Sequence, residues 1–186
     1  YLKENNYLTL KLDELDLYID GKLQIPEKSI VLTIDDGTIF NPTAIKLLEK
    51  YNAYATLFVI TGWVGTEHLQ SEHLALESHT DKMHNQYECK GMGNQGGGIL
   101  CLDEEYVLND LKTCQEKLGG SKYFAYPFYD FNDRAIGLLK KAGYKLAFIG
   151  YYDGGYSYPG ITNKYMMRRT TLFSNTSMEE FISYLN

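Results

Sequence analysis

The sequence has 186 residues, of which 44% are hydrophobic and 23% charged, a balance that is ordinary for one globular domain with a sizeable core. The net charge of −6 argues against a nucleic acid as partner, because phosphate contacts need clustered Lys and Arg. No stretch approaches the roughly 18 apolar residues of a membrane span, no secretory signal is visible, and a start at Tyr1 indicates a processed or trimmed form.

Strand-like and helix-like segments alternate along the chain. The apolar runs predict strands at 7–11, 30–35, 54–60, 74–80, 122–128, 145–150 and 165–170. Helical spacing predicts helices at 41–52, 103–120, 132–143 and 177–185, the first with Asn41 as N-cap and Pro42 in its first turn. This alternation indicates parallel strands with helices outside them, and it leaves an open sheet and a barrel as alternatives. We expect residues 1–186 to form a single domain.

Two stretches between these elements are less regular. Residues 66–76 are polar and helix-like, and their two histidines, His68 and His73, are expected to be exposed to solvent. Residues 85–102 form the longest irregular segment and include GMGNQG, which matches the dinucleotide-binding pattern G-x-G-x-x-G. We reject that interpretation because no strand precedes the glycines and no helix follows them. A flexible loop beside a functional site is the prediction instead.

The three cysteines do not form a recognisable motif. Cys89, Cys101 and Cys114 lack a C-x-x-C spacing and are too few for a disulfide scaffold. Three separate thiols are the favoured interpretation, and a Cys89–Cys101 bridge across the glycine-rich stretch is the alternative. The 17 tyrosines favour a groove for sugars or peptides, although most tyrosines simply pack.

Polar side chains cluster at the predicted ends of three strands. Asp35 and Asp36 end the 30–35 strand, His79 ends the 74–80 strand, and His84 follows five residues later. Chemistry in α/β folds gathers at the carboxyl ends of parallel strands. One aspartate with two histidines is a ligand set for a divalent metal with open coordination positions. A simple Asp-Asp-Gly turn and two unrelated histidines are the competing interpretation.

Three motifs in this order resemble the polysaccharide deacetylase family, also called carbohydrate esterase family four. They are TIDDG (33–37), SHTDKMH (78–84) and FAYPF (124–128), and they look most like the bacterial branch that includes poly-N-acetylglucosamine deacetylases. The resemblance implies an α/β fold, an irregular (β/α) barrel with about seven parallel strands. It also implies metal-dependent removal of N-acetyl groups from a GlcNAc-containing polymer (peptidoglycan, poly-N-acetylglucosamine or chitin-like), by a monomer outside the cytoplasm.

The resemblance also implies a role for particular residues. Asp36, His79 and His84 would hold the divalent metal, most often Zn²⁺, with Co²⁺, Ni²⁺ and Mn²⁺ as alternatives. Asp35 would be the general base, and the backbone N–H of Phe128 would help to stabilise the oxyanion. The chemistry is consistent with these roles, because an acetamide is a poor electrophile and needs both polarisation and an activated water.

Two of the departures from the family pattern concern residues that would take part in the reaction. Ala125 stands where many members have an arginine that orients the base, and we predict that Arg169, rather than Arg168, reaches the site instead. Many members also use a later histidine as general acid, but no histidine follows His84 here, so the general acid is unassigned. A weakly active or inactive domain that binds metal and glycan is therefore the alternative function. Thr80 would hold the loop between the two histidines.

Overall fold

The computed structural model describes residues 1–38, 40, 42–89, 96–150 and 155–185. Within these ranges the strands are β1 (Leu8–Thr9), β2 (Ser29–Ile30), β3 (Thr33–Ile34), β4 (Ala55–Val59), β5 (Leu74–Ser78), β6 (Tyr123–Ala125) and β7 (Leu146–Phe148). Every pairing between them is parallel. β1 and β2 form a small sheet, and the other strands form a five-stranded sheet in the order β3-β4-β5-β6-β7.

Helices lie between several of these strands and after the last one. They are α1 (Leu12–Ile19), α2 (Thr43–Tyr51), α3 (Glu104–Lys117), α4 (Asp133–Lys141) and α5 (Met178–Ser183). Asp103, Asn132 and Ser177 cap the last three of these helices with side-chain oxygens that accept backbone N–H bonds. Asn41, the predicted N-cap of α2, lies outside the described residues, and Pro42 occupies the cap position.

The strands curl into a half-barrel. The predicted 30–35 strand is in fact two short strands on one extended segment, because β2 pairs with β1 whereas β3 pairs with β4. At the opposite edge, Met167 pairs in parallel with Phe148 of β7. Two residues later, Arg169 donates a hydrogen bond to the Thr33 hydroxyl on β3, so the two edges of the sheet approach each other. The predicted irregular (β/α) barrel of about seven parallel strands is confirmed.

Apolar side chains fill both faces of this sheet. The inner cluster joins Phe58, Tyr123, Ala125, Leu146, Phe148 and Met167 to three residues of α1, namely Leu12, Leu15 and Ile19. The outer faces pack against α2 on one side and against α3 and α4 on the other. All five residues of β4 are buried, as expected for a strand that is covered on both faces. The sheet is therefore a rigid support for the residues that follow its strands.

Three sequence predictions of secondary structure are wrong. Helix α1 was not expected, and it forms because its apolar residues at helical spacing close the inner cluster. Residues 66–73, expected to be helix-like, are turns that lead into β5. In that segment His68 is exposed as expected, but His73 is half-buried, and its Nδ1 lies 3.0 Å from the carbonyl oxygen of Ala53. The predicted 165–170 strand reduces to the single bridge at Met167.

The cysteines also differ from the favoured interpretation. Cys89 and Cys101 form a disulfide, and Cys114 is a buried thiol. The bridge joins the two sides of the glycine-rich segment, of which residues 90–95 lie outside the described residues. None of the helices in the described ranges has both the length and the apolar character needed to cross a bilayer.

Candidate active site

The two adjacent aspartates diverge at the end of β3. Asp36 has a left-handed backbone with φ of 69°, and Gly37 continues the turn with φ of 83°. The carbonyl oxygen of Asp36 accepts a hydrogen bond from the N–H of Ile60, which directly follows β4. This bond fixes the turn to the sheet. The Asp36 carboxylate is 47% exposed and that of Asp35 only 22%, so the two groups occupy different environments. The divergence limits the repulsion that two neighbouring carboxylates would otherwise suffer.

Asp36, His79 and His84 form a compact cluster. Their nearest ligand atoms all lie within 4.8 Å of one another. Asp36 Oδ1 is 3.2 Å from His79 Nε2 and 3.4 Å from His84 Nε2. Both histidine side chains are largely buried, and the rings lie 4.7 Å apart. One carboxylate oxygen and two imidazole nitrogens thus converge on a single point.

The orientation of His79 is set by the backbone of β6. Its Nδ1 lies 2.8 Å from the carbonyl oxygen of Ala125, which can only accept, so Nδ1–H is the donor. In the neutral ring the lone pair of Nε2 therefore faces Asp36. Two acceptor atoms 3.2 Å apart require a cation between them, either a proton or a metal ion. This donor set fits a divalent metal.

The electrostatics of the cluster favour the ligand-competent forms of His84 and Asp36. Burial first, and then the neighbouring His79, lower the pKa of His84 despite the nearby carboxylate. His84 is therefore neutral at pH 7, the form in which imidazole binds a metal. The contact with His79 is the main reason why the pKa of Asp36 lies below its usual value, and Asp36 is ionised.

Arg169 clamps Asp35 from the other side. Its Nη1 and Nη2 each donate to a different oxygen of the carboxylate, both at 2.7 Å. Nη1 also donates to the Thr33 hydroxyl, and Nε to the Ile149 carbonyl oxygen. The guanidinium carbon lies 5.7 Å from the centre of the Phe58 ring, so the cation is also held against an aromatic face. This bidentate geometry is the strongest form of an arginine–carboxylate contact.

The contact decides the charge of Asp35. Burial alone would raise the pKa of this carboxyl, but the charge and hydrogen bonds of Arg169 outweigh burial, and the pKa lies below its usual value. Arg168, the alternative considered from sequence, is exposed. The structure therefore places Arg169 beside Asp35, across 134 residues of sequence.

A tight turn after β6 brings Phe128 to the cluster. Phe128 and Tyr129 both have left-handed backbones, with φ of 57° and 59°. The turn is held by a hydrogen bond from Tyr129 N–H to the Tyr126 carbonyl oxygen. The Phe128 ring packs 4.6 Å from the ring of His84. Asp36 and Thr80 are left-handed as well, and such backbone conformations cost about 1–3 kcal/mol each and concentrate at functional sites.

The loop that carries the histidines depends on a residue that sequence reasoning missed. The Asp110 carboxylate, on α3, accepts the backbone N–H groups of Asp81 and Lys82 at 2.8 and 2.7 Å. Asp81 in turn accepts bonds from Lys117 and Thr61. Asp110 was detectable, because it lies within the apolar stripe of α3, where a carboxylate is out of place unless it binds something.

Thr80, predicted to hold this loop, is buried between the two histidines. Its backbone carbonyl oxygen accepts the Thr61 N–H, so the residue links the loop to the turn after β4. Its hydroxyl has no hydrogen-bond partner in the part of the chain that the structure describes. The link therefore runs through the backbone of Thr80.

The amino-acid sequence of the chain matches a known protein family. A sequence model described as polysaccharide deacetylase matches residues 22–147, which is more than half of the chain. The chain belongs to the polysaccharide deacetylase family, and the resemblance drawn from its three motifs is confirmed.

Individual proteins resemble the chain in sequence or in fold. The chain is 29% identical over 170 residues to the poly-beta-1,6-N-acetyl-D-glucosamine N-deacetylase of Staphylococcus aureus strain MRSA252, covering 80% of this chain and 56% of that protein. The structure of IcaB from Ammonifex degensii matches with a TM-score of 0.82 at 21% identity, covering 100% of this chain and 84% of the other. The structure of a de-N-acetylase from Aggregatibacter actinomycetemcomitans matches with a TM-score of 0.80 at 20% identity, covering 98% of this chain and 85% of the other.

These likenesses differ in what they establish. At this identity the two structures show the fold. The chain spans little more than half the length of the curated relative from Staphylococcus aureus.

Proposed function

We propose that this chain is a metal-dependent deacetylase that removes N-acetyl groups from a polymer containing N-acetylglucosamine. One observation carries the proposal. The Asp35 carboxylate is bound by Arg169, and the next residue, Asp36, clusters with His79 and His84. In this proposal Asp35 accepts a proton and Asp36 binds a cation.

Each residue has a defined task in this proposal. Asp36, His79 and His84 hold a divalent metal, most often Zn²⁺, with Co²⁺, Ni²⁺ and Mn²⁺ as alternatives. Such a metal, when bound, supplies a Lewis acid that polarises the acetamide carbonyl and lowers the pKa of water. Asp35 accepts the proton of the attacking water. Arg169 keeps Asp35 ionised and correctly oriented as that base.

The remaining steps balance the reaction. The water oxygen bonds to the acetyl carbon, and the backbone N–H of Phe128 donates to the oxygen that becomes negative. The carbon–nitrogen bond then breaks, the amine takes up a proton, and the products are acetate and a free amino sugar. The group that delivers this last proton is unassigned.

The polymer class and the setting are parts of the same proposal. The relative from Staphylococcus aureus, named for a β-1,6-linked N-acetylglucosamine polymer, favours that polymer over peptidoglycan and chitin-like chains. Because such polymers lie outside the cytoplasm, we propose an extracytoplasmic protein, acting as a monomer through one catalytic domain over residues 1–186. The Cys89–Cys101 disulfide supports this location, since disulfides persist in oxidising compartments.

A second candidate is a glycan- and metal-binding domain with little turnover. The sequence favours it at one point, because no histidine follows His84 to serve as the general acid. The two candidates share the metal site and differ in acetate release.

The test measures metal content and acetate release together. Metal-loaded protein is incubated with fully acetylated β-1,6-linked N-acetylglucosamine oligomers and, in parallel, with chito-oligosaccharides. We expect acetate release, loss of bound metal in Asp36→Ala, and retained metal with at least about a 100-fold lower rate in Asp35→Asn. Metal binding without acetate from any polymer would favour the second candidate. Absence of metal binding would overturn both.

A further inference from the structure

The only tryptophan of the chain stands beside the metal-ligand cluster. Trp63 follows β4 and is 52% exposed, an unusual condition for so large an apolar side chain. Its ring lies 5.5 Å from the ring of His84, edge to face at 69°. The ring of His84 also lies 4.6 Å from the ring of Phe128, so two aromatic rings adjoin this ligand. The exposed indole therefore borders the site at which the acetamide would react.

The turn that carries Trp63 is built onto the histidine loop. The N–H groups of Thr61 and Gly62 donate to the carbonyl oxygens of Thr80 and Asp81, at 3.1 and 2.9 Å. A Cβ at residue 62 would overlap the Asp81 carbonyl oxygen, so this close approach requires glycine. The turn is closed by the Trp63 N–H, which donates to the Ile60 carbonyl oxygen. Trp63 is thus held at a fixed place relative to the cluster instead of on a free loop.

The chemistry of the exposed ring identifies its partner. A pyranose ring presents faces of C–H groups, and a flat indole covers such a face while the sugar hydroxyls stay in water. We propose that Trp63 is a substrate-binding residue that stacks on a pyranose ring next to the residue being deacetylated. This inference rests on the proposed function for its polymer. Its consequence is a preference for oligomers over the single sugar, because a monosaccharide at the metal cluster leaves the indole uncovered.

The expected effect follows from the area that stacking would cover. A sugar ring stacked on one face of the indole would cover about 55 Å² of apolar surface, and at about 25 cal/mol per Å² this changes affinity about tenfold. The turn is already ordered by its backbone bonds, so little of this gain is lost in fixing the platform. The Trp63→Ala change should therefore raise KM for the oligomer about tenfold and affect kcat less.

The single tryptophan allows a direct binding test. In the Asp35→Asn background, which slows turnover by at least about 100-fold, β-1,6-linked N-acetylglucosamine oligomer is titrated while tryptophan emission is recorded. We expect a saturable change in emission with oligomer and little change with N-acetylglucosamine alone. Calorimetry then compares Trp63→Ala, Trp63→Phe and the unmodified Trp63 in that background, with thermal unfolding as the check on folding. Phe should retain most of the affinity.

A matched control is available at the other end of the barrel. Tyr51 is an exposed aromatic residue, at 48%, on the last turn of α2. In parallel α/β folds this helix end lies opposite the carboxyl ends of the strands. Tyr51→Ala should therefore leave oligomer affinity and KM unchanged.

The outcomes separate the inference from the function on which it rests. Acetate release with unchanged emission and an unchanged KM in Trp63→Ala would overturn the stacking role and leave the deacetylase intact. Oligomer binding that depends on Trp63, without acetate release by the unmodified protein, would refute catalysis and support the stacking role.

Discussion

Replacing Arg169 by methionine removes the cation that neutralises Asp35 while keeping a long apolar stem. The two side chains are 13% and 22% exposed, so water can replace the lost hydrogen bonds only in part. The carboxylate would lose two bonds of 2.7 Å and would stay in a mostly buried position. The structure therefore predicts a large effect on both stability and the protonation of Asp35.

The size of the stability effect can be worked from this geometry. Breaking a buried ion pair by removing one partner costs about 3–5 kcal/mol. The residual exposure of both groups lowers that figure, and we expect Arg169→Met to reduce the free energy of unfolding by about 2–4 kcal/mol. Arg169→Lys keeps the charge but not the bidentate geometry, and we expect it to lower the free energy of unfolding by about 1–2 kcal/mol.

Urea unfolding of a double-mutant cycle provides the measurement. The cycle combines Arg169→Met with Asp35→Asn under identical metal conditions and extracts the coupling energy from the four free energies of unfolding. We expect a coupling of about 2 kcal/mol or more, because each single change leaves its partner unsatisfied. A coupling below about 0.5 kcal/mol would refute the reasoning, since it would place the two groups in independent environments.

The same pair predicts a pH dependence with a definite sign. The pKa of Asp35 is lower in the folded protein than in the unfolded chain, so the pair contributes full stability above the usual aspartate pKa. That contribution is lost as the pH falls through the lower, folded value. Without Arg169 the pKa of Asp35 rises, and the acid limb of the deacetylation rate should move to higher pH. An unmoved acid limb in Arg169→Met would remove Asp35 from the base role.

Three further changes test the supports of the site. Asp110→Ala deprives the buried N–H of Asp81 of its acceptor, and we expect a loss of about 1–3 kcal/mol in urea unfolding together with weaker metal binding by calorimetry; unchanged metal affinity would contradict this. Replacing both bridged cysteines, Cys89→Ser with Cys101→Ser, should lower the free energy of unfolding by about 2–4 kcal/mol. Reducing the unmodified protein with dithiothreitol should cause the same loss. Equal stability of the oxidised and reduced forms would argue against the bridge. Gly62→Ala should lower metal affinity by moving the histidine loop, whereas full affinity would show that the loop adapts.

Local sequence pattern predicted the order of the elements and the place of the chemistry. Apolar runs and helical spacing are properties of neighbouring residues, so β4, α3 and α4 were all expected close to their observed bounds. Strand ends gather at one edge of a parallel sheet, which is why Asp36 and His79 could be expected to meet.

Tertiary packing overrode the local pattern in other elements. Helix α1 has only eight residues, and its stability comes from the inner cluster that Leu12, Leu15 and Ile19 complete. The helix-like stretch 66–73 forms turns instead, with Leu69 buried in the apolar cluster that packs around α2. Short segments have weak intrinsic preferences, so contacts made elsewhere in the chain decide their conformation.

By itself, then, the sequence determined the α/β class, the family and the residues around the cluster, because these depend on motifs of a few residues each. Only the tertiary structure decided which arginine reaches Asp35, that Asp110 anchors the histidine loop, and that Cys89 pairs with Cys101. These contacts join residues far apart in sequence, and in the case of Arg169 a second arginine, Arg168, is its immediate neighbour. Their geometry depends on how the sheet curls, which no local periodicity encodes.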